Sequence, residues 1–474
     1  MAIEFAHSPL LTFVLGLLAV IVLLVRWDLP AFVGLIMAAF FVGVINVVFV
    51  PDFTASMAAG RVATAFGDGM GGIGIPILMA AIIGKSMLES GAAQRIVRGF
   101  QTLLGKENSD YALWGSSSIL AIPVFFDSVF YLLAPLARSM RARVGRDYTL
   151  FIVVVGAGAA TAHVFVPPTP GPLAVADEIG VNIGITMLIG ITTALPAAFF
   201  GGIVYGRWIN RRLDIPLRDA MSTSTEELHE LAERDTRNLP SVFESLAPII
   251  VAVVLIGALT AINAFVGQDF DIPLWDTIEA AMVAAEPYAA FLGDKNVALT
   301  LAALVAAWVF YKHSDLSQSE WSEELTEALK SGGNIAAITA AGGAFGALLA
   351  ASGVGAYITD ALSGVGIPLI VSAWLIAAIV RIAQGSATAA MLTAAGIMAP
   401  QVPELAVHPA FLVMAIGAGG NICSWYNDSG FWLVKEIGGL TQTETLKTWT
   451  VVTTIISVTG LVMTLALSSV FPMA

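Results

Sequence analysis

Cysteine is nearly missing from this chain: 474 residues hold one, Cys423. No internal disulfide can form, and cysteine usage leaves the redox compartment unread. Charge is scarce as well, at 12% of residues, where soluble domains carry about 25%. What charge there is runs acidic, 35 Asp and Glu against 22 Lys and Arg for a net of −13, which argues against a nucleic-acid partner. The basic start of a signal peptide is lacking: Glu4 stands in its place, and Arg26 follows the apolar run, so no signal peptide is expected. Catalytic constellations are lacking too. There is no nucleophile elbow and no cluster with metal-ligand spacing, and Gly84-Lys85-Ser86 has Met79 where a phosphate-binding loop needs its upstream glycine. The expectation is a protein that is not an enzyme and has neither metal nor cofactor.

What is present is apolar. Hydrophobic residues make up 57% of the chain and the mean hydropathy is +0.84. Runs long enough to cross a bilayer recur from end to end, so the lipid bilayer is the first partner implied. A β-barrel would show weak alternation instead. Spans are predicted near 9–25, 30–50, 72–88, 184–205, 242–266, 296–311, 333–351 and 449–471. Two stretches, 111–137 broken at Pro123 and 366–399 interrupted at 381–386, read as re-entrant hairpins, the first opening inward and the second outward. Two further spans, 148–170 and 411–430, are themselves broken. Residues 206–240 form a polar cytoplasmic linker between a first half, 1–205, and a second, 241–474. The linker carries overlapping capping-box signals, Thr223 to Glu226 and Ser224 to Glu227. Residues 317–330 read as another short polar helix, and the acidic stretch around Asp269, Asp271, Asp276, Glu279, Glu286 and Asp294 as an outer loop.

This scheme places 19 of the 22 Lys and Arg residues inside, leaving Arg61 and Lys295 outside and Arg381 within a hairpin. That asymmetry satisfies the positive-inside rule and puts both termini outside. Trp27, Trp208, Trp308 and Trp449 fall at cytoplasmic span ends, as interfacial anchors do.

The chain is organised around residues 156–172, GAGAATAHVFVPPTPGP. Prolines lack the amide donor and clash with the preceding turn, so no continuous helix can run through them. Broken backbone at membrane depth is tolerated only where protein buries it or a polar cavity receives it. The halves also resemble each other. IIGKSMLESGAAQRI (82–96) aligns with AFGALLAASGVGAYI (344–358), and Glu178-Ile179-Gly180 recurs as Glu436-Ile437-Gly438. The fold class expected is an all-α polytopic membrane protein of two inverted-topology repeats, each with about five transmembrane spans and one hairpin, an architecture of secondary transporters.

Four polar breaks should then converge: 123–128, 161–171, 384–388 and 421–430. Unwound helices expose free amides and helix N-termini, which favour an anion. The candidate substrate-binding residues are Ser128, Thr161, Thr169, Gly171, Gln384, Gly385, Ser386, Thr388, Asn421 and Asn427, whose hydroxyls, amides and backbone suit a polyol or carboxylate. Asp127, His163 and Asp428 are the candidates for proton or ion coupling, since ionisable groups inside a membrane are expensive. Each has a plainer role open to it: His163 satisfies freed backbone groups, Asp127 orders a hairpin tip, and Asp428 caps a half-helix. Arg381, close to one tip, reads either as a hairpin anchor or as a neighbour of the site.

At these breaks the sequence resembles the gluconate permease (GntP) family of the ion transporter superfamily. The resemblance covers nearly the whole chain and rests on ATAHVFVPPTPGPLAVA (160–176), RIAQGSATAA (381–390), YNDSGFWLVKEIGGLT (426–441) and ETLKTW (444–449), with FFDSVFYLLAPL (125–136) and GKSMLESGAAQRI (84–96) in support. It implies proton symport of gluconate or a related small hydroxy or sugar acid across the bacterial inner membrane. Superfamily likeness implies a homodimer working by an elevator motion. The chain departs from the family pattern in three places. Thr169 stands where a second histidine is usual, Ser424-Trp425-Tyr426 where Ser-His is usual, and Asp127 where glutamate is common. Substrate and coupling ion therefore stay open, with a D-serine or other small amino-acid carrier and sodium coupling as alternatives, and a channel as a remote one.

Overall fold

The computed structural model describes residues 9–27, 29–105, 108–122, 125–144, 146–218, 239–266, 275–363, 367–425 and 428–473. These residues form helices and connecting turns, with no strand among them. In chain order the helices are α1 (Pro9–Ile21), α2 (Ala31–Phe49), α3 (Ala55–Glu89), α4 (Ala92–Leu104), α5 (Ser109–Leu120) and α6 (Phe126–Val144). There follow α7 (Tyr148–Phe165), α8 (Pro170–Ile179) and α9 (Ile183–Asn210), the last containing wider π turns at Phe199–Val204. After the linker come α10 (Val242–Phe265), α11 (Trp275–Leu292), α12 (Lys295–His313), α13 (Gln318–Ala350), α14 (Val354–Ser363) and α15 (Leu369–Gln384). The chain closes with α16 (Ala387–Met398), α17 (Ala410–Gly420), α18 (Ser429–Gly438) and α19 (Gln442–Val470).

Two expectations are corrected here. Residues 317–330 are not a separate polar helix. Ser317 caps α13 with a reciprocal capping box to Glu320, and the helix then runs unbroken to Ala350. Helix-favouring Glu, Ala, Leu and Lys fill the polar turns, and nothing between them and the apolar part interrupts the hydrogen-bond ladder. Likewise the span near 72–88 is only the end of α3, whose 35 residues begin behind the N-cap Thr54. The acidic stretch is no mere loop either, because Glu279 and Glu286 lie on the 18-residue α11. Its alanine content outweighs the acidic residues that suggested a loop. Thr223, Glu226, Ser224, Glu227, Asp269 and Asp271 lie outside the described residues.

Helix α3 packs along α13 more extensively than any other pair of elements meets. Small residues permit the approach: a Cβ on Gly332 would sit 2.8 Å from the Ala81 Cβ. Helix α13 then meets α16 so closely that a Cβ on Gly346 would lie 2.9 Å from the Thr393 Cα and carbonyl oxygen. Close backbone contact of this kind is how membrane helices gain dispersion energy without a hydrophobic driving force.

Element lengths recur in order. Helices α2 and α12 have 19 residues each, α3 and α13 have 35 and 33, and α8 and α18 have 10 each. The turn after α3 is closed by Gly91 at φ +76 and that after α13 by Gly353 at φ +78. Those are the two glycines the sequence alignment paired. Helix α11 has no counterpart among the described residues of the first half.

At one end of the molecule three side chains collect the free carbonyls of α18. Arg138 Nη1 donates to Ile437 O, Tyr148 Oη donates to Gly438 O at 2.6 Å, and Arg218 Nη1 donates to Gly439 O at 3.1 Å. Positive charge at a helix C-terminus also complements its dipole. Trp27, Trp208 and Trp308 are exposed, consistent with interfacial anchors. Trp449 is not one of them: it is buried.

Candidate functional site

The breaks define the site because each ends one helix and starts another. Helix α7 stops at Phe165, Val166 turns extended, and Thr169 precedes Pro170, which opens α8. Proline at the first helical position loses nothing, since its missing amide would have been unpaired there. Gly385 at φ +84 terminates α15, and Ser386 caps α16 by accepting from the Ala389 amide at 3.3 Å. Helix α17 ends at Gly420, and Asp428 caps α18 by accepting from the Gly430 amide at 2.9 Å. Helix α6 starts at Phe126, putting Asp127 in its first turn.

These ends meet at one cavity of about 180 Å³. Its wall includes Asp127, Pro170, Ala387 and Ser429, so the N-terminal turns of α6, α8, α16 and α18 all open onto it. Each contributes amides without intrahelical partners and the positive end of its dipole. Six of the thirteen sequence candidates line the cavity: Asp127, His163, Ser386, Thr388, Asn421 and Asp428. Asp127 is exposed and Ser386 and Thr388 are half-buried.

The other candidates are placed differently. Thr161 and Thr169 are buried, and their hydroxyls donate to Ala157 O and to Val166 O at 2.6 Å, closing local turns. Gly171 lies against Met391, whose sulfur a Cβ there would meet at 2.9 Å. Gly385 supplies the turn between α15 and α16. These four stand behind the wall. Ser128 and Gln384 are located by backbone alone, in α6 and at the end of α15. Asn427 and Pro123 lie outside the described residues.

Sequence reasoning missed part of the wall. Ile335, Ile338 and Thr339 reach the cavity from the middle of α13, an uninterrupted helix with no break to flag it. Trp449 lines it from α19, stacked on Phe126 with ring centroids 4.8 Å apart and donating from Nε1 to Ser424 Oγ. Its position at a span end is what disguised it as an anchor. Small residues in α13, such as Gly342 and Gly346, serve close helix packing and carry no hint of the cavity.

Electrostatically the site is built around one buried ion pair. Arg381 Nη2 donates to Asp428 Oδ2, and Ser424 Oγ donates to the same oxygen. Ser424 is in turn fixed to α19, its amide donating to Thr453 Oγ1 at 3.2 Å. So Asp428 both caps α18 and holds Arg381. Among the described residues, three groups around the cavity keep buried polar atoms without a hydrogen-bond partner: His163 Nδ1, Asn421 Nδ2, and Arg381 Nε with Nη1.

Broken helices meeting at a polar cavity inside an apolar helical body are the arrangement that multi-pass secondary transporters use to bind a substrate within the membrane. The chain matches the GntP family permeases over residues 8–470, and it belongs to that family. It is 34% identical over 467 residues to a gluconate permease of Pseudomonas aeruginosa, covering 97% of this chain and 98% of that one. It is 32% identical to the high-affinity gluconate transporter of Escherichia coli, with 98% and 100% covered, and 30% identical to that organism's L-idonate transporter, with 98% and 99% covered. In fold it is similar to the YdaH transporter of Alcanivorax borkumensis, at TM-score 0.60 and 13% identity, covering 94% of this chain and 99% of that one. The Neisseria gonorrhoeae MtrF structure is similar at TM-score 0.60 and 16% identity, with 97% and 98% covered.

Proposed function

We propose that this permease takes up gluconate or a closely related small hydroxy acid together with a proton, across the bacterial inner membrane. The observation that carries this reading is the convergence of four helix N-termini on one polar cavity, an arrangement that favours a bound anion. Ser386, Thr388 and Thr339 place hydroxyls in the wall for a polyol chain; Thr339 Oγ1 donates to Ile335 O at 2.7 Å and meets a substrate as an acceptor. The relatives' own names, gluconate permease and L-idonate transporter, agree in substrate class.

Charge balance supports the proton. The cavity is lined by two carboxylates, Asp127 and Asp428, against one guanidinium, Arg381, and the imidazole of His163. Adding a monoanion to such a site raises its negative charge inside low dielectric, which a proton on Asp127 or His163 offsets. One proton per monoanion makes the cycle electroneutral. Uptake of labelled gluconate into proteoliposomes should rise several-fold under an inward proton gradient, and rates indifferent to that gradient would sink the proposal of proton coupling.

The recurring helix lengths support two inverted repeats, divided at the linker, with α5–α6 and α15–α16 as the hairpins. We read the alternating-access step as an elevator motion in a homodimer. In that motion the contacts of α8 and α9 with α10 and α12, which include the Lys295–Asp177 ion pair and the Thr260–Asn182 hydrogen bond at 3.1 Å, break and reform. One observation favours a second reading: the open carboxylate of Asp127 suits the ammonium of a small amino acid. Thermal stabilisation by D-serine in preference to gluconate would select it.

A further inference from the structure

We propose that Arg381 is the residue that grips the substrate carboxylate, through Nε and Nη1, with the Asn421 side-chain amide beside it. Asp428 holds the guanidinium in place by its remaining nitrogen. This rests on the reading that the cavity takes a small hydroxy acid, and adds which end of the acid goes where.

Arg381 is only 3% exposed and Asn421 only 4%, yet both line the cavity. The Arg381 Nη2 is spent on Asp428, whereas Nε and Nη1 have no partner among the described residues, and neither has Asn421 Nδ2. Buried donors are costly to leave unmade, and those of a charged group most of all. A guanidinium offers its donors as a planar fork that matches the two oxygens of a carboxylate.

A purely structural arginine in the same protein looks different. Arg138, 1% exposed, spends both terminal nitrogens on backbone carbonyls, those of Ile437 and Arg218, and leaves only Nε without a partner among the described residues. It is absent from the cavity wall. An arginine serving only to anchor the second hairpin would be expected to end like Arg138. Arg381 instead keeps two of its three nitrogens for something that enters the cavity.

The pairing with Asp428 has a consequence for transport. It neutralises part of the charge that would otherwise hold an anion too long, and a carrier must release its substrate as well as bind it. The acid is thereby oriented, its carboxylate at Arg381 and Asn421 and its hydroxyl chain toward Ser386, Thr388 and Thr339. Neutral polyols lose the main contact, while acids of different chain length keep it.

The test uses the purified full-length protein, with gluconate and the neutral polyol glucitol as probes and calorimetric titration as the readout. The paired variant Arg381→Met/Asp428→Asn removes both charges together, so no unpaired carboxylate is left buried. It should bind gluconate roughly thirtyfold more weakly, and the preference for gluconate over glucitol should collapse toward unity. Should the paired variant fail to elute as a folded species, Arg381→Lys decides. A point charge in place of the fork should weaken gluconate roughly tenfold and leave glucitol unchanged. Gluconate affinity within threefold of the parent in whichever variant is folded would overturn the assignment while leaving the transport reading intact. A parent protein that binds no gluconate at all would instead remove the transport reading, and the carboxylate assignment with it.

Discussion

At the scale of single residues, several groups at the cavity have incomplete sets of partners among the described residues. Asp127 opens toward the cavity from the first turn of α6, so it can exchange a proton without dismantling any cap or ion pair. Asp428 is already committed, capping α18, accepting from Ser424 and pairing with Arg381. Asp127→Asn should therefore abolish the dependence of uptake on the proton gradient while leaving counterflow exchange measurable. A variant still driven by the gradient would remove Asp127 from coupling. Thr388 half-lines the cavity without capping a helix, and Thr388→Val should weaken gluconate by about 1–3 kcal/mol if its hydroxyl meets the substrate; calorimetric titration checks this. The residue types at the site were legible in sequence because polar residues in broken apolar helices stand out. The wall from α13 and Trp449 was not, since Ile335, Ile338 and Thr339 sit in an ordinary helix and only packing brings them there.

At the scale of elements, prolines and glycines decide where helices stop, and small residues decide how near they lie. Pro170, Gly385 and Asp428 set the helix ends that face the cavity. These ends could be read along the chain, because each breaker acts on its own turn. The continuity of α13 could not. A polar segment followed by an apolar one reads as two elements until neighbours support both. Gly346→Ala should be destabilising by about 1–3 kcal/mol, as overpacking against backbone usually is, since its Cβ would press on Thr393 Cα and O of α16. A melting temperature in detergent equal to that of the parent would show that the α13–α16 contact relaxes freely. Arg218→Ala should also lower the melting temperature, because it loses the Gly439 carbonyl and both oxygens of Glu444 together.

At the scale of the whole molecule, the charge asymmetry predicts an orientation, and the proposed elevator motion would have to break the ties that join α8 and α9 to α10 and α12. In a Cys423→Ser background, a cysteine at the exposed Tyr288 should react with a membrane-impermeant maleimide in intact cells, and one at the exposed Lys330 should not. Reversed labelling would invert the topology. Cysteines replacing Asp177 and Lys295, bridged by a short bis-maleimide, should stop net uptake while preserving gluconate binding. Undiminished uptake in the bridged protein would rule out an elevator motion that separates α8 from α12.

Sequence alone determined that the chain is helical and lives in a bilayer, where its helices break, and which residue types stand at those breaks. Hydropathy, proline geometry and charge asymmetry are local or additive properties, readable position by position. Tertiary structure decided which breaks share a cavity, that Thr161 and Thr169 turn away from it, and that Arg381 meets Asp428 with nitrogens to spare. Those are facts about distance between residues far apart in the chain, and no local pattern encodes them.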